Sequence, residues 1–298
     1  GLAMPESPYD TADDLLRRAD AAMYGVKSAA QAQPTTFGAA TSVARTALER
    51  DLREALAADA LMLHYQPVVG VAGDVRGVEA LLRWPHPQRG LVPAAEIHDL
   101  LGAGDLAAPL AVWAADRAVR ELDRMGLGGL PVRVNVPARA LLRSQVGEQV
   151  AASLAHVGRD PRTLVLEVHE GDVGSLLARS STTRALASSG ASFGLDRFGA
   201  DNAALTLLRR LPLTTLALDR HLLIDAAAAP ADLAVLRALV DAAGSLGIVT
   251  IAVGIETPAA ASAARAAGVS ALQGYAVAAP APLDQLADAL LGGRLPVP

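Results

Sequence analysis

The chain has 298 residues, a formal net charge of −5 and no cysteine, and 52% of its residues are hydrophobic. This length predicts one large domain with a short appendage, or two ordinary domains. The acidic balance argues against a broad basic surface for duplex DNA, and an aromatic content of 3% argues against stacking platforms for single strands. The lack of cysteine excludes disulfides, thiolate metal sites and cysteine nucleophiles.

The predicted elements begin with a helix over residues 11–29, where Thr11 is a plausible N-cap. A linker follows over residues 30–41, and a second helix runs from about Ser42 to Ala58. From there β-like runs alternate with helices. The β-like runs are Leu61–Val69, Val75–Trp84, Val132–Val136, Leu164–His169, Ser192–Phe198, Thr215–Asp219, Ile248–Gly254 and Ala271–Val277. The later helices are Leu106–Met125, Ala138–His156, Gly174–Ser189, Ala203–Leu211, Ala231–Leu246, Pro258–Ala267 and Leu283–Leu291.

This alternation predicts an α/β fold, a TIM-like (β/α)8 barrel. The alternative is a doubly wound open sheet, which would place a glycine-rich turn and a helix after the first strand. The segment Val68–Gly73 contains two glycines, but no helical pattern follows it. The barrel is therefore favoured.

Polar residues occur in or at the end of four β runs, and active sites of such barrels form at the strand ends. They are Glu79, Asn135, Glu167 and Asp196. If they converge, they form an all-oxygen site that suits Mg²⁺, Mn²⁺ or Ca²⁺. The alternative for each one is a buried polar group that hydrogen-bonds to the backbone.

Eight short motifs in order resemble those of EAL domains, the cyclic di-GMP phosphodiesterases and receptors. The signature itself is Glu79–Trp84, read as Glu-Ala-Leu-Leu-Arg-Trp. The other motifs are Leu63–Pro67, Val134–Val136, Leu166–Glu170, Asp196–Gly199, Leu218–Arg220, Gly254–Thr257 and Gln273–Tyr275. The resemblance covers about residues 45–292 and implies the same barrel.

The segment Asp14–Tyr24 resembles the last helix of GGDEF domains, which often precede EAL domains. We therefore expect a GGDEF-like remnant at 1–29, a linker at 30–41 and an EAL-like barrel at 42–298. The chain then looks like part of a longer protein with upstream GGDEF and sensory domains.

The resemblance assigns a first metal ion, Mg²⁺, Mn²⁺ or Ca²⁺, to Glu79, Asn135, Glu167 and Asp196. The second metal of active relatives needs a further aspartate, and Arg197 stands at that position. A guanidinium beside a divalent cation is repulsive by several kcal/mol, roughly 4 kcal/mol for each unit of charge at 4 Å. We therefore expect one ion and not two.

Two more catalytic positions of the family are replaced. Ala217 stands where a lysine orders the attacking water, and Val253 stands where a glutamate is usual. The chain's single lysine is Lys27, so the barrel contains no substitute. The segment Ala200–Ala204 also departs from the usual loop, although Glu170, which by resemblance anchors that loop, is present. The sequence therefore predicts no intact catalytic set.

The binding positions are better kept. Gln66, Leu81 and Arg83 match positions that contact the ligand, and an arginine can donate two parallel hydrogen bonds to a phosphate. Asp219, Glu256 and Gln273 match positions at the rim that can reach a guanine edge. Arg197 either contacts the phosphate directly or pairs with Glu167 or Asp196 inside an inactive site.

Three functions follow as hypotheses: a cyclic di-GMP receptor with little or no hydrolysis, a phosphodiesterase with residual metal-dependent activity, or a vestigial barrel for protein contacts. The kept Gln66, Arg83 and Gln273 favour the first, and the departures around Gly102 favour the last. A homodimer is a further expectation from the family. The sequence predicts no DNA partner, no membrane segment in this chain and, from the lack of cysteine, a cytoplasmic location; the alternative is that a longer parent protein carries a membrane anchor elsewhere.

Overall fold

The structure is a computed structural model that describes residues 39–92, 94–101, 105–173, 190–200 and 206–298. The predicted GGDEF-like helix, the helix at 174–189, the segment 201–204 and Gly102 lie outside these ranges. The chain divides into two units, residues 1–48 and residues 49–298. The described part of the first unit is helical from Ala39, so this helix begins inside the range predicted as linker.

The second unit alternates strands and helices in the way that the sequence predicts. The strands are β1 (Met62–Gly70), β2 (Val75–His86), β3 (Gly90–Val92), β4 (Val132–Asn135), β5 (Leu164–His169), β6 (Ser192–Phe198), β7 (Thr215–Leu218), β8 (Val249–Ala252) and β9 (Ala271–Leu272). The described helices are α1 (Ala39–Ala57), α2 (Ala94–Leu100), α3 (Ala107–Arg124), α4 (Ser144–His156), α5 (Thr206–Arg210), α6 (Arg220–Ala228), α7 (Pro230–Ser245), α8 (Pro258–Ala267) and α9 (Leu283–Leu291).

Eight of the strands close into a barrel in the order β1-β9-β8-β7-β6-β5-β4-β2, and β1 pairs with β2 to complete the ring. Strand β1 is antiparallel to both of its neighbours, while the pairs from β2 through β4 to β9 are parallel. Strand β3 is outside the ring and pairs only with the end of β2. The predicted α/β barrel is confirmed.

Alternation along the strands separates two apolar regions. Outward-facing residues such as Val132 and Val134 of β4 belong to a large core that also includes helix residues. A small cluster of Val68, Ile251 and Ala271, with Val253 against it, fills part of the interior. The remaining inward positions of β1, β2, β4, β5 and β6 are largely polar, which leaves a polar site inside the ring.

Seven of the eight predicted β runs coincide with barrel strands to within about two residues. The eighth, Ala271–Val277, is wrong at its end: β9 stops at Leu272, and a turn follows in which Val277 and Ala278 donate backbone hydrogen bonds to the carbonyl of Gly274. Strand β3 and helices α2 and α6 were not predicted. The predicted helix Ala138–His156 is wrong at its start, because a 3₁₀ turn at Ala140–Leu142 comes first and Arg143 is extended, with ψ 116°. Helix α4 therefore begins at Ser144. Among the described residues, no helix is both long enough and apolar enough to cross a membrane.

Candidate functional site

The four predicted metal ligands lie on the neighbouring strands β2, β4, β5 and β6. Register places Asn135 opposite Glu167, and Asp196 one strand further on, opposite His169. Asn135 donates a hydrogen bond from Nδ2 to Glu79 Oε1. Glu79 and Glu167 are buried, whereas the Asp196 side chain is 19% exposed. The structure therefore brings these four side chains to one end of the barrel interior.

Arg133 occupies the centre of this group, and sequence reasoning missed it. Its side chain is 4% exposed, and Nη1 donates to Glu167 Oε1 at 2.9 Å. Nη2 donates to Glu79 Oε2 at 3.4 Å. One signal could have revealed it: Arg133 is two residues before Asn135, and residues two apart on a strand face the same side.

A chain of amide side chains continues the network across the seam of the barrel. Gln273 accepts from Arg133 Nη2, and its Nε2 donates to Glu79 Oε2 and, at 3.0 Å, to Gln66 Oε1. Gln66 Nε2 donates to the carbonyl of Ala278 at 3.0 Å. Gln273 is 2% exposed, so it lies deeper than the rim position that the resemblance implied. The network joins β2 and β4 to β1 and to the segment after β9.

Glycine makes room for this packing at two points. A Cβ on Gly194 would lie 2.8 Å from Glu167 Cγ and 2.4 Å from Thr215 Oγ1. A Cβ on Gly274 would lie 2.2 Å from the backbone nitrogen and oxygen of Ile255. Only glycine allows the backbone after β9 to approach the backbone after β8 this closely, and that approach sets the position of Gln273.

The carboxyl groups exceed the positive charge that faces them. Burial, together with the charges of Asp196 and Glu79, raises the pKa of Glu167 to about 8, although Arg133 opposes the shift. Burial and the charge of Glu79 raise the pKa of Asp196 to about 6. Burial disfavours the charged guanidinium of Arg133, but the carboxylates of Glu167 and Glu79 outweigh it and its pKa is raised. The interior therefore favours the protonated forms of Glu167 and Asp196.

The end of β6 is irregular at Arg197. The register to β7 shifts between Leu195 and Phe198, and Arg197 has a positive φ of 53°. Its side chain is 46% exposed, with Nε 3.9 Å from Asp196 Oδ2. Just beyond, Gly199 donates its N–H to Glu170 Oε2 at 2.9 Å, which agrees with the anchoring role implied for Glu170. The bulge thus turns Arg197 toward the solvent-facing side of the site.

The other predicted positions lie around this end of the barrel. Ala217 is buried on β7, and Val253 follows β8 and packs on the small interior cluster. Asp219 caps α6, since its Oδ1 accepts from the N–H of His221 at 2.9 Å. Glu256 is exposed and lies 3.8 Å from Arg220.

Two positions on β2 complete the wall of the site. Leu81 and Arg83 share the face of Glu79, because they follow it at intervals of two residues. Both are partly exposed, and Arg83 Nη1 donates to the carbonyl of Leu82 at 2.9 Å. Arg83 therefore borders the opening of the barrel.

Residues 49–280 match the model of the EAL domain. The chain belongs to the EAL domain family.

Other EAL proteins give this assignment a context. The chain is 32% identical over 305 aligned positions to the cyclic di-GMP phosphodiesterase NbdA of Pseudomonas aeruginosa, covering 99% of this chain and 39% of that protein. It spans less than half the length of the curated relatives that it matches. The structure of PaMucR phosphodiesterase in a c-di-GMP complex is 32% identical, with a TM-score of 0.70, and covers 80% of this chain and 99% of that one.

A more distant EAL structure shows the same fold with an ion. Klebsiella pneumoniae BlrP1, in a calcium and cyclic di-GMP complex, has a TM-score of 0.66 and 23% identity, and covers 74% of this chain and 56% of that one. The ion in that relative is calcium.

The interior of this EAL domain does not fit such an ion in the described arrangement. Oxygens that a metal would bind already accept hydrogen bonds from Arg133, Asn135 and Gln273. Glu167 Oε2 is buried without a hydrogen-bond partner among the described residues, but one oxygen does not make a coordination shell. Within the ranges that the structure describes, no three acidic or histidine side chains come close enough together to hold a metal.

Proposed function

We propose that this EAL domain binds cyclic di-GMP and hydrolyses it little or not at all, so that it acts as a receptor in cyclic di-GMP signalling. The observation that carries the proposal is the chemistry at the ends of β6, β7 and β8. Arg197, Ala217 and Val253 supply neither a carboxylate for a second metal nor an amine to order a water. Loss of one general acid or base typically costs about 10²–10⁴ in rate.

The binding side supports a nucleotide ligand. Arg83 borders the opening, where its guanidinium can donate to a phosphate, and Gln66 lies below it in the interior network. A related structure at 32% identity is a c-di-GMP complex. Cyclic di-GMP carries two negatively charged phosphates, and it therefore suits a barrel opening that presents the positively charged Arg83 and Arg197.

A phosphodiesterase with residual activity is the second candidate. Glu79, Asn135, Glu167 and Asp196 are all kept, and the relative NbdA is named a cyclic di-GMP phosphodiesterase. This candidate predicts a metal-dependent linear product that Glu79→Ala abolishes. A vestigial barrel would show neither binding nor product.

The test is calorimetric titration with cyclic di-GMP, followed by an assay of the same samples for linear dinucleotide. We expect binding without product. Arg83→Ala should weaken binding, whereas Arg76→Ala, on the same strand but near its other end, should not. Binding with metal-dependent product would establish the enzyme instead, and the absence of both heat and product would leave the vestigial barrel.

A further inference from the structure

Arg133 places a permanent positive charge inside the barrel. Arg133 is 3% exposed, and the side chain projects from β4 among the carboxylates of Glu79 and Glu167. A guanidinium stays protonated at any pH that a protein tolerates and has donors but no acceptor. It cannot act as a ligand to a metal, and it meets carboxylates only as their cation.

The guanidinium spans the oxygens that an ion would need. Nη1 faces Glu167 Oε1 at 2.9 Å, and Nη2 faces Glu79 Oε2 at 3.4 Å. The planar guanidinium bridges the two carboxylates, so its geometry sets the distance between Glu167 and Glu79. The lone pairs of the bridged oxygens point at the nitrogens of Arg133. A divalent ion in the same place would lie within about 4 Å of a like charge in a poorly solvated interior.

The amide groups reinforce this arrangement. Gln273 turns Oε1 toward Arg133 and Nε2 toward Glu79, and Asn135 also presents an N–H to Glu79. N–H groups repel a cation, so an ion could enter only after Asn135 and Gln273 had been reoriented and Arg133 displaced. The network is arranged around a guanidinium.

We propose that Arg133 is a built-in cation that takes the place of the divalent ion in this EAL domain, which makes the interior site independent of metal. Two of the four kept ligand positions, Glu79 and Glu167, then hold the barrel's own arginine. The part of the inference that concerns nucleotide rests on the proposed function: cyclic di-GMP binds equally well with a chelator and with Mg²⁺.

The first experiment titrates Mn²⁺ alone and reads the unbound ion by electron paramagnetic resonance. The wild-type chain should bind no Mn²⁺ even when the ion is added at millimolar concentration. Arg133→Ser should take up one Mn²⁺ per chain, with an affinity higher by about 100-fold or more because a like charge is gone. Arg133→Ser combined with Glu79→Gln should lose that uptake. Arg159→Ser, which removes another buried arginine away from the carboxylates, should resemble the wild type.

Equal uptake by the wild type and Arg133→Ser overturns the inference, and so does uptake by neither. If the serine variant does not fold, Arg133→Met, which keeps most of the side-chain volume, replaces it in the same Mn²⁺ titration. A second measurement uses the wild-type chain alone: its affinity for cyclic di-GMP with chelator should equal that with Mg²⁺, and binding only with Mg²⁺ overturns the inference. No nucleotide binding under either condition refutes the proposed receptor, while the Mn²⁺ titration still decides the role of Arg133.

Discussion

Arg133 Nη1 donates a 2.9 Å hydrogen bond to Glu167 Oε1 in the interior of the barrel, where the Glu167 side chain has no exposed surface. Removal of one member of a buried ion pair typically costs about 3–5 kcal/mol, because the other charge stays buried. We expect Arg133→Met to lower the free energy of unfolding by about that amount. Urea unfolding in the presence of chelator at about pH 9, where Glu167 with its pKa of about 8 is ionised, measures it.

A double-mutant cycle separates this pairing from lost packing. Glu167→Gln should restore part of the stability in the Arg133→Met background, because it removes the carboxyl left without its cation. Arg76→Met is the control, since Arg76 pairs with Asp74 at the surface and such pairs contribute about 0–1 kcal/mol. Strictly additive effects of the two interior substitutions would show that Arg133 and Glu167 are not coupled.

Glu170 fixes the turn after β6 through one backbone hydrogen bond. Its Oε2 accepts from the N–H of Gly199 at 2.9 Å, and Glu170 is 7% exposed. Glu170→Ala should accelerate hydrogen exchange of the Gly199 amide by about 10- to 100-fold, because bonds to charged groups contribute about 1.5–3 kcal/mol. Glu170 lies in a 3₁₀ turn over Glu170–Asp172, and Asp172→Ala in that turn is the matched control. Unchanged exchange at Gly199 would refute the anchor.

Substitutions at Arg197 distinguish the effect of its backbone strain on stability from the effect of its charge on binding. Its φ of 53° is unfavourable for a long side chain and acceptable for glycine or aspartate. Arg197→Gly should therefore keep or raise thermal stability, whereas Arg197→Asp places a like charge beside Asp196 and should lower it. If the guanidinium contacts the phosphate, both variants should weaken cyclic di-GMP binding in calorimetry, and the aspartate variant should do so more. Unchanged or tighter binding would mean that Arg197 has no role in binding.

His64 makes the stability of β1 sensitive to pH. Burial, followed by the nearby charge of Arg83, lowers the pKa of His64 below its ordinary value, and a hydrogen bond to the backbone of Pro280 only partly opposes this. The unfolded chain binds a proton at this histidine near pH 6.5, whereas the folded chain does so only at lower pH. The contribution of neutral His64 to stability is therefore fully present above about pH 6.5. It is lost as the pH falls from there through the lower pKa of the folded chain.

We expect the free energy of unfolding to fall less for His64→Gln than for the wild type between about pH 7 and about pH 5. His156→Gln is the control, because His156 is exposed at the end of α4. Parallel pH profiles of the wild type and His64→Gln would contradict the assignment.

The sequence was enough to predict the barrel and most of its strands, because each strand carries its own apolar run between helical segments. Helix α6 was not predicted, although its N-cap Asp219 is visible in the sequence. The reason is that the predicted strand Thr215–Asp219 includes Asp219 as its last residue, which hides its role as a helix cap. The place of Arg133 was open to prediction from alternation along β4. Its partners were not, because one of them, Gln273, is 140 residues away and contacts Arg133 only in the closed ring.

The hydrogen bonds that close the interior network join distant parts of the chain. Gln273 meets Gln66 across 207 residues and Glu79 across 194. During synthesis, Glu79, Arg133 and Glu167 emerge long before Gln273, so the network of hydrogen bonds among them stays incomplete until the last strand has been made. Closure of the ring by β9 and formation of the polar site are therefore the same step of folding.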